Sequence, residues 1–307
     1  MKKSEKNTLG KIIQKNREKQ GISKVKLCRG LCTITALTRY EEDTRIPDKF
    51  LTDALLERLG INPFRYEFIV SDQEFYYSLK RLHFEKLFSH EKWNEAKKLL
   101  YEYESEIEEK DFLHWQYILS KKAIFLEKEE KYKEAISILY KALEYTKCNA
   151  IPFEKLENTL FTNIEIELLY LLAKCQSFVG ETKQAYLLFQ LLKHYMDTKS
   201  WDREKLKDYY PNILYGLAQH ELETYNFGKA FEYLNEAETL LKENYLLSNL
   251  EEILKLKEEI ATKIGIVQDT KEKEAFILAL QLISTSEKGK ITKEGICLWE
   301  NTINQQL

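Results

Sequence analysis

The chain has 307 residues, of which 44% are apolar, and its 47 Lys and Arg nearly balance its 50 Asp and Glu. This composition can bury a substantial core, and it contains no run of 18 apolar residues of the kind that spans a membrane. Ten Gly, four Pro and four Val leave little room for a sheet-rich fold and favour an all-α protein. No secretory signal precedes the first predicted helix, so we expect a soluble, cytoplasmic protein.

The charge is divided unevenly along the chain. Residues 1–65 carry 15 basic and 8 acidic side chains, which leaves 32 basic and 42 acidic ones for the rest. A basic N-terminal module on an acidic body is typical of a protein that binds nucleic acid through the first part alone. The acidic body should repel DNA phosphates and so orient the module.

The first 61 residues predict a helix-turn-helix module. A first helix is expected over about Thr8 to Lys19 and should end at Gly21. Ser23 should cap a second helix that carries Val25, Leu27 and Leu31 and contains Gly30, and Thr33 should cap a third. Pro47 is expected early in the fourth helix, which should end at Leu59-Gly60.

The third predicted helix, in the stretch TITALTRYE, has two different faces. Ala36, Leu37 and Tyr40 fall on one side, which should pack inward. The other side is free to enter a major groove, where Arg39 has the reach for a guanine edge and Ile34 can meet a thymine methyl group. Lysine and hydroxyl side chains nearby should contact phosphates. The candidate DNA-binding residues are therefore Lys24, Thr33, Ile34, Thr35, Thr38, Arg39 and Arg45.

Residues 8–61 resemble the Cro/repressor type of helix-turn-helix. The pattern L-x-x-x-L-C-x-x-x-x-x-[ST]-R-[IY]-E is present from Leu27 to Glu41, and Cys32 stands where many repressors have the turn Gly. More narrowly, the module is similar to that of the peptide-pheromone-responsive bacterial regulators, the PlcR-like members of the Rap/Rgg/NprR/PlcR/PrgX group. Ile34 and Thr35 replace the polar residues that are usual at the first base-reading positions, so the resemblance does not supply the operator sequence. A helical hairpin that binds nothing is the alternative interpretation.

From about residue 73 the sequence repeats. After a linker over residues 62–72, five segments open a helix with a small residue near E-A or K-A, at Ala96, Ala135, Ala185, Ala230 and Ala275. These segments resemble degenerate tetratricopeptide repeats, in which a small residue lets paired helices approach closely. We predict a right-handed α-solenoid of about five such repeats over residues 73–285, and a capping helix over 286–307. A non-repeating helical bundle is the alternative.

The first helix of each predicted repeat should line a concave groove. The alanine of each second helix sets the register of the repeat and so locates the concave side of its first helix. The candidate peptide-binding residues on that side are Tyr117, Asn163, Glu167, Tyr170, Lys174, Asn212, Tyr215 and Gln219. Asn and Gln offer both a donor and an acceptor to a peptide backbone, and Tyr adds rigid contact area. The resemblance adds that pheromone receptors use concave-face Asn residues in this way, which favours Asn163 and Asn212. Ordinary solvated side chains are the alternative.

No catalytic or cofactor motif is found. Phosphate-binding Gly-rich loops, HExxH and GxSxG are missing, and the five histidines have no ligand spacing. The five cysteines contain no CxxC, so free thiols are expected at Cys28 and Cys32 rather than a dithiol or metal site. We therefore expect no enzyme activity, no cofactor and no metal.

These features together predict a transcription regulator. The module should read a pseudo-palindromic operator in double-stranded DNA as a homodimer, and the resemblance implies a short signalling peptide as the ligand of the repeats. Two other interpretations remain open. The repeats could bind a protein partner, or the chain could regulate a phosphorelay as Rap-like proteins do.

Overall fold

The computed structural model describes residues 8–66, 71–146, 159–198, 209–243 and 250–264, and in these ranges every regular element is a helix. The chain divides into two compact units, Met1–Tyr209 and Tyr210–Leu307. Each unit is considered by itself below.

Four short helices open the first unit. They are α1 (Leu9–Lys19), α2 (Lys24–Cys28), α3 (Ile34–Glu41) and α4 (Lys49–Arg58). Each is preceded by a polar side chain that accepts a hydrogen bond from a backbone N–H in the first turn, and these caps are Thr8, Ser23, Thr33 and Asp48. Such caps satisfy donors that have no partner inside the helix. The four helices enclose a core with Ile13, Leu27, Leu37, Leu55 and Leu56 at its centre, all fully buried.

Three details of this module differ from the sequence prediction. Gly30 does not lie inside the second helix, because α2 ends at Cys28 and Gly30 adopts a φ of +70° in the following turn. Glycine enters this left-handed region without the steric penalty of other residues, so it is favourable there. Pro47 lies before α4, which is capped by Asp48. Val25 is 61% exposed, while Leu27 and Cys28 are buried on α2 and Leu31 is buried in the turn that follows.

Three helical pairs complete the described part of the first unit. After a 3₁₀ turn at Pro63–Arg65 they are α5 (Asp72–Ser89) with α6 (Trp93–Glu106), α7 (Phe112–Lys128) with α8 (Tyr132–Tyr145), and α9 (Asn163–Phe178) with α10 (Thr182–Thr198). The alanines used to set the repeat register, Ala96, Ala135 and Ala185, are buried in the second helix of each pair. A side chain this small allows the two helices to pack closely, as predicted.

The second unit continues the same pattern. Helices α11 (Tyr210–Glu223) and α12 (Phe227–Glu243) form a pair with Ala230 fully buried, and α13 (Leu250–Lys263) packs on them. Ala275 and the predicted capping helix of residues 286–307 lie outside the described residues. The domain boundaries assigned from the sequence stay predictions.

The four-helix module is packed directly on the paired helices of its own unit. Leu113 of α7 and Leu160 belong to the same core cluster as Leu27 and Leu55. Phe50 of α4 lies edge-on to His114, with ring centroids 4.9 Å apart, and the guanidinium of Arg81 covers its ring at 4.3 Å. Helix α4 therefore contacts α5 and α7, the first helices of two pairs, directly.

Candidate functional site

The outer side of α3 presents the residues that were predicted to read bases. Ile34 is 48% exposed, Thr35 and Arg39 are exposed and Thr38 is half-buried. On the opposite side Leu37 and Tyr40 are buried, as expected from their spacing. We call Ile34, Thr35, Thr38 and Arg39 the reading face. Its helix begins with the capped Thr33, whose hydroxyl accepts from the N–H of Ala36 at 3.1 Å.

A buried carboxylate fixes the orientation of α3. Glu41 is 1% exposed and accepts from Nε and Nη2 of Arg17 at 2.6 and 3.0 Å. The ammonium of Lys24 lies 3.3 Å from the same carboxylate and also donates to the Thr38 hydroxyl at 3.0 Å. The hydrogen bond to Glu41 raises the pKa of Arg17. Glu41 of α3 therefore holds α1 and α2 in contact with α3. It also limits the movement of the Lys24 side chain.

Sequence reasoning missed this network for a simple reason. Arg17 and Glu41 are 24 residues apart and each lies among other charged residues, where a charged side chain is usually solvated. The only available signal was the final Glu of the L-x-x-x-L-C…R-[IY]-E pattern, which the periodicity places beside the buried Tyr40.

Other exposed side chains extend the surface around α3. Arg45 is exposed, and its guanidinium lies 5.9 Å from the ring centroid of Tyr40. Val25 and Ile46, which were not among the predicted site residues, are 61% and 57% exposed on the same module. A mixture of cations, hydroxyls and apolar tips is suited to phosphates and to the edges of bases.

The cysteines of the module are free thiols. Cys28 is buried and Cys32 is half-buried, and neither is in a disulfide. Burial raises the pKa of the Cys32 thiol to about 12, so the reactive thiolate is not formed at neutral pH. A search of the described ranges finds no group of three His, Cys, Asp or Glu side chains that could hold a metal ion.

The first helices of the pairs present a connected polar stripe in the first unit. It consists of Glu85 on α5, Tyr117 and Lys121 on α7, and Glu167, Tyr170 and Lys174 on α9. The Tyr117 hydroxyl donates to Glu85 at 2.9 Å, and the Lys121 ammonium lies 3.2 Å from the same carboxylate. Four of the predicted groove residues are thus brought together with two that the sequence did not single out.

Glu167 is the centre of the polar stripe. It is 8% exposed and accepts from Lys121 at 3.1 Å, from Tyr209 at 2.6 Å and from the Ser120 hydroxyl. Burial alone would raise the pKa of Glu167, but the charge of Lys121 and the hydroxyl donors outweigh it and lower that pKa. The carboxylate therefore stays ionised and has its hydrogen bonds satisfied within the protein.

The outer end of the polar stripe is more accessible. Tyr170 and Lys174 are half-buried, and Lys174 lies 2.7 Å from the Glu127 carboxylate. The rings of Tyr170 and Tyr209 are 5.5 Å apart, and burial raises the pKa of Tyr170. Tyr170 and Tyr209 offer an aromatic surface beside the ammonium of Lys174 and the carboxylates of Glu127 and Glu167. This combination suits a peptide better than it suits a catalytic reaction.

Asn163, the first residue of α9, is engaged by the four-helix module. Its backbone N–H and its Nδ2 donate to Glu57 of α4 at 3.0 and 2.9 Å. Two residues along, Glu165 accepts from Nη2 of Arg58 at 3.1 and 3.3 Å, and both side chains are 2% exposed. Asn163 therefore contributes to the contact between α4 and α9, a role that the helical spacing did not reveal.

The remaining predicted residues lie on α11 of the second unit. Asn212 and Tyr215 are half-buried and Gln219 is exposed, and Gln219 Nε2 donates to the Tyr215 hydroxyl at 3.3 Å. The hydrogen bond between Tyr215 and Gln219 agrees with the predicted spacing of one helical turn. Their part in binding a peptide stays a prediction.

Solved structures that are similar to this chain include PlcR and two ComR proteins. PlcR from Bacillus thuringiensis, in complex with the peptide PapR7 and DNA, is 14% identical, with a TM-score of 0.54 over 92% of this chain and 99% of PlcR. Apo ComR from Streptococcus vestibularis is 17% identical, covering 84% of this chain and 97% of ComR (TM-score 0.35). ComR from S. thermophilus, with DNA and its signalling peptide ComS, is 16% identical, covering 84% and 98% (TM-score 0.33).

The likeness to PlcR confirms the predicted all-α fold class and, at the level of the fold, the resemblance drawn from the sequence. No family model matches the chain, and no curated protein sequence matches it. Within the described ranges no helix is both long enough and apolar enough to cross a membrane.

Proposed function

We propose that the chain is a transcription regulator. It binds double-stranded DNA as a homodimer through the reading face of α3, and a short signalling peptide bound on the polar stripe controls it. Each module covers one half of a pseudo-palindromic operator, since a single recognition helix contacts only a few base pairs.

The exposure pattern of α3 carries the DNA-binding part of this proposal. Ile34 is 48% exposed and Arg39 is exposed on one side of α3, while Leu37 and Tyr40 are buried on the other side. Bidentate contact of an Arg with guanine and apolar contact with a thymine methyl group are standard means of base recognition. The basic charge of residues 1–65 and the PlcR fold, solved with DNA and peptide, support the same conclusion.

The chemistry of the polar stripe supports a peptide as the ligand. An extended peptide must not bury its N–H and C=O groups without partners, and its charged ends need counter-charges. Lys174, Glu127 and Glu85 provide charges of both signs, and Tyr170 provides apolar area beside them. Asn212, Tyr215 and Gln219 are proposed as a second set of contacts on α11.

DNA binding can be tested with the purified full chain and DNA from the promoter of its own gene. Arg39→Ala should weaken specific binding by about 1–3 kcal/mol and relax sequence preference, because a base contact is lost. Lys24→Ala should weaken binding to all sequences alike. Lys98→Ala, on the 81%-exposed Lys98 of α6, is the matched control and should have no effect. Unchanged operator affinity of the Arg39 variant would refute the assignment of α3.

The ligand can be tested in the same assay. Synthetic peptides derived from small secreted reading frames near the gene should change operator affinity if the proposal is correct. DNA binding without any response to such peptides would favour the interpretation that the repeats bind a protein partner. Failure to bind DNA, combined with an effect on a response-regulator phosphorylation reaction, would favour a phosphorelay regulator.

A further inference from the structure

Helix α5 has an apolar surface on each of two sides. Tyr77, Phe84 and Leu87 are buried against the rest of the first unit. Phe75, Tyr76, Leu79 and Leu82 point the other way and are 44%, 48%, 47% and 63% exposed. Single exposed apolar side chains are common, but four on one side of a helix form a patch of the kind that marks an interaction surface. We call these four residues the apolar seam.

The apolar seam has the spacing of a helix-pairing surface. Positions 72, 75, 79, 82 and 86 follow one another at alternating intervals of three and four, as in the core positions of paired helices. Asp72 and Lys86, both exposed, stand at the two ends of this row. A shallow depression runs along its C-terminal half, lined by Tyr76, Leu79, Lys80, Leu82, His83 and Lys86.

We propose that the apolar seam pairs with α5 of a second copy of this chain, in an antiparallel arrangement about a two-fold axis at Leu79. In this register Leu79 meets Leu79 of the partner subunit, and Tyr76 meets Leu82 of the partner subunit. Asp72 then lies opposite Lys86 of the partner subunit, and the symmetry forms this pair twice. A parallel pairing would instead place like charges together at both ends, which is unfavourable.

Two observations indicate that the partner of the apolar seam is a second copy of this chain: the charges at the ends of the row and the position of α5. Asp72 and Lys86 each lie seven residues from Leu79, so their charges are complementary only when one copy is reversed, which is the property of a two-fold symmetric contact. Helix α5 is also the first α-helix after the four-helix module that carries the reading face, here called the reading module, within the same compact unit. Pairing through α5 therefore joins two reading modules. This last step rests on the proposed function, whereas the charge pattern does not.

Leu79→Arg in the full-length protein tests the contact at its centre. Two arginines would face each other on the two-fold axis, so the dimer dissociation constant should rise by roughly 100-fold or more. Sedimentation or light scattering across a micromolar concentration series measures this directly, without DNA. The control is Leu187→Arg, because Leu187 is 45% exposed on α10 and should leave the dimer unchanged. Circular dichroism should show the same helix content for both variants.

A charge exchange tests the antiparallel register. Asp72→Lys alone, or Lys86→Asp alone, should raise the dissociation constant, and the two changes together should restore it, because the pair is re-formed in reverse. A monomeric parent protein, a Leu79→Arg variant as dimeric as its control, or single charge variants that the double change fails to restore would each overturn the proposal. If the parent is dimeric and behaves as expected but binds no DNA, the DNA reader is refuted while the interface stands.

Discussion

Replacement of Glu165 by Gln should strongly destabilise the contact between the four-helix module and α9. Arg58 is 2% exposed, and its Nη2 has Glu165 as its only charged partner among the described contacts. Its Nη1 donates to the backbone carbonyl of Leu27 at 3.0 Å, so the guanidinium cannot swing out to water without breaking α2 contacts as well. The variant thus leaves a buried cation without a counter-charge.

The size of the effect can be bounded from the geometry. Removing one member of a buried ion pair typically costs about 3–5 kcal/mol. Gln keeps an oxygen that can accept from Arg58, and it can also serve in the capping box in which Glu165 and Thr162 accept from each other's N–H at 2.7 and 3.2 Å. We therefore expect the lower end of the range, about 3 kcal/mol.

Urea unfolding of the full chain, followed by circular dichroism, is the appropriate measurement. With an m-value of about 3 kcal/mol/M, the expected loss lowers the midpoint of the first unit by about 1 M. Glu102→Gln is the matched control, since Glu102 lies 3.9 Å from Lys98 on the exposed side of α6 and should scarcely change the midpoint. If the two variants unfold at the same urea concentration, Arg58 and Glu165 are not paired in a buried site and the account of this contact is wrong.

Three further predictions concern the groove residues and pH. Asn163→Ala should lower the free energy of unfolding by about 1.5 kcal/mol in thermal melts, because Nδ2 loses its charged acceptor Glu57; an unchanged melting temperature would contradict this. Asn212→Ala should leave operator affinity intact but weaken the response to an active peptide in the mobility-shift assay, and an equal response would exclude α11 from the ligand site. Burial, followed by the charge of Arg81, lowers the pKa of His114 to about 3. The unfolded chain therefore binds the extra proton between pH 6.5 and 3, so stability should fall as pH drops through this window, and less steeply in His114→Gln.

The local parts of the fold were predictable from the sequence because their causes are local. A Ser or Thr directly before an apolar-periodic run favours a helix N-terminus, which is why the caps Ser23 and Thr33 could be predicted; Thr8, predicted as the start of the first helix, is its cap. The buried alanines Ala96, Ala135, Ala185 and Ala230 were also found from a local signal, the small residue near the start of each second helix. The errors at Gly30 and Pro47 are boundary errors of two or three residues, where a turn and a helix end have similar sequences.

The contacts between modules could not be predicted in this way. Arg58 and Glu165 are 107 residues apart, and nothing in the local sequence of either indicates burial. A helical pattern places Asn163 and Glu167 on one side of α9, but it does not say which neighbouring helix each side chain meets. In the structure Asn163 donates to Glu57 of α4, and Glu167 accepts from Lys121 of α7. Burial of a charged residue depends on its partner, and the partner is chosen by the tertiary fold.

If the proposed function is correct, the arrangement on α9 determines how a bound peptide could act on the four-helix module. Glu165 and Glu167 are separated by one residue on one helix, yet the first binds Arg58 of the four-helix module and the second binds Lys121 of the polar stripe. A ligand shifts an equilibrium only by its difference in affinity for two states, so a peptide must bind the polar stripe differently in two positions of α9 to act on the reader. Any such movement carries Glu165 with it, because a helix backbone does not deform over two residues. The Glu165→Gln protein should therefore bind an active peptide as the parent does while losing the effect of that peptide on operator affinity, and a retained effect would show that the coupling runs elsewhere.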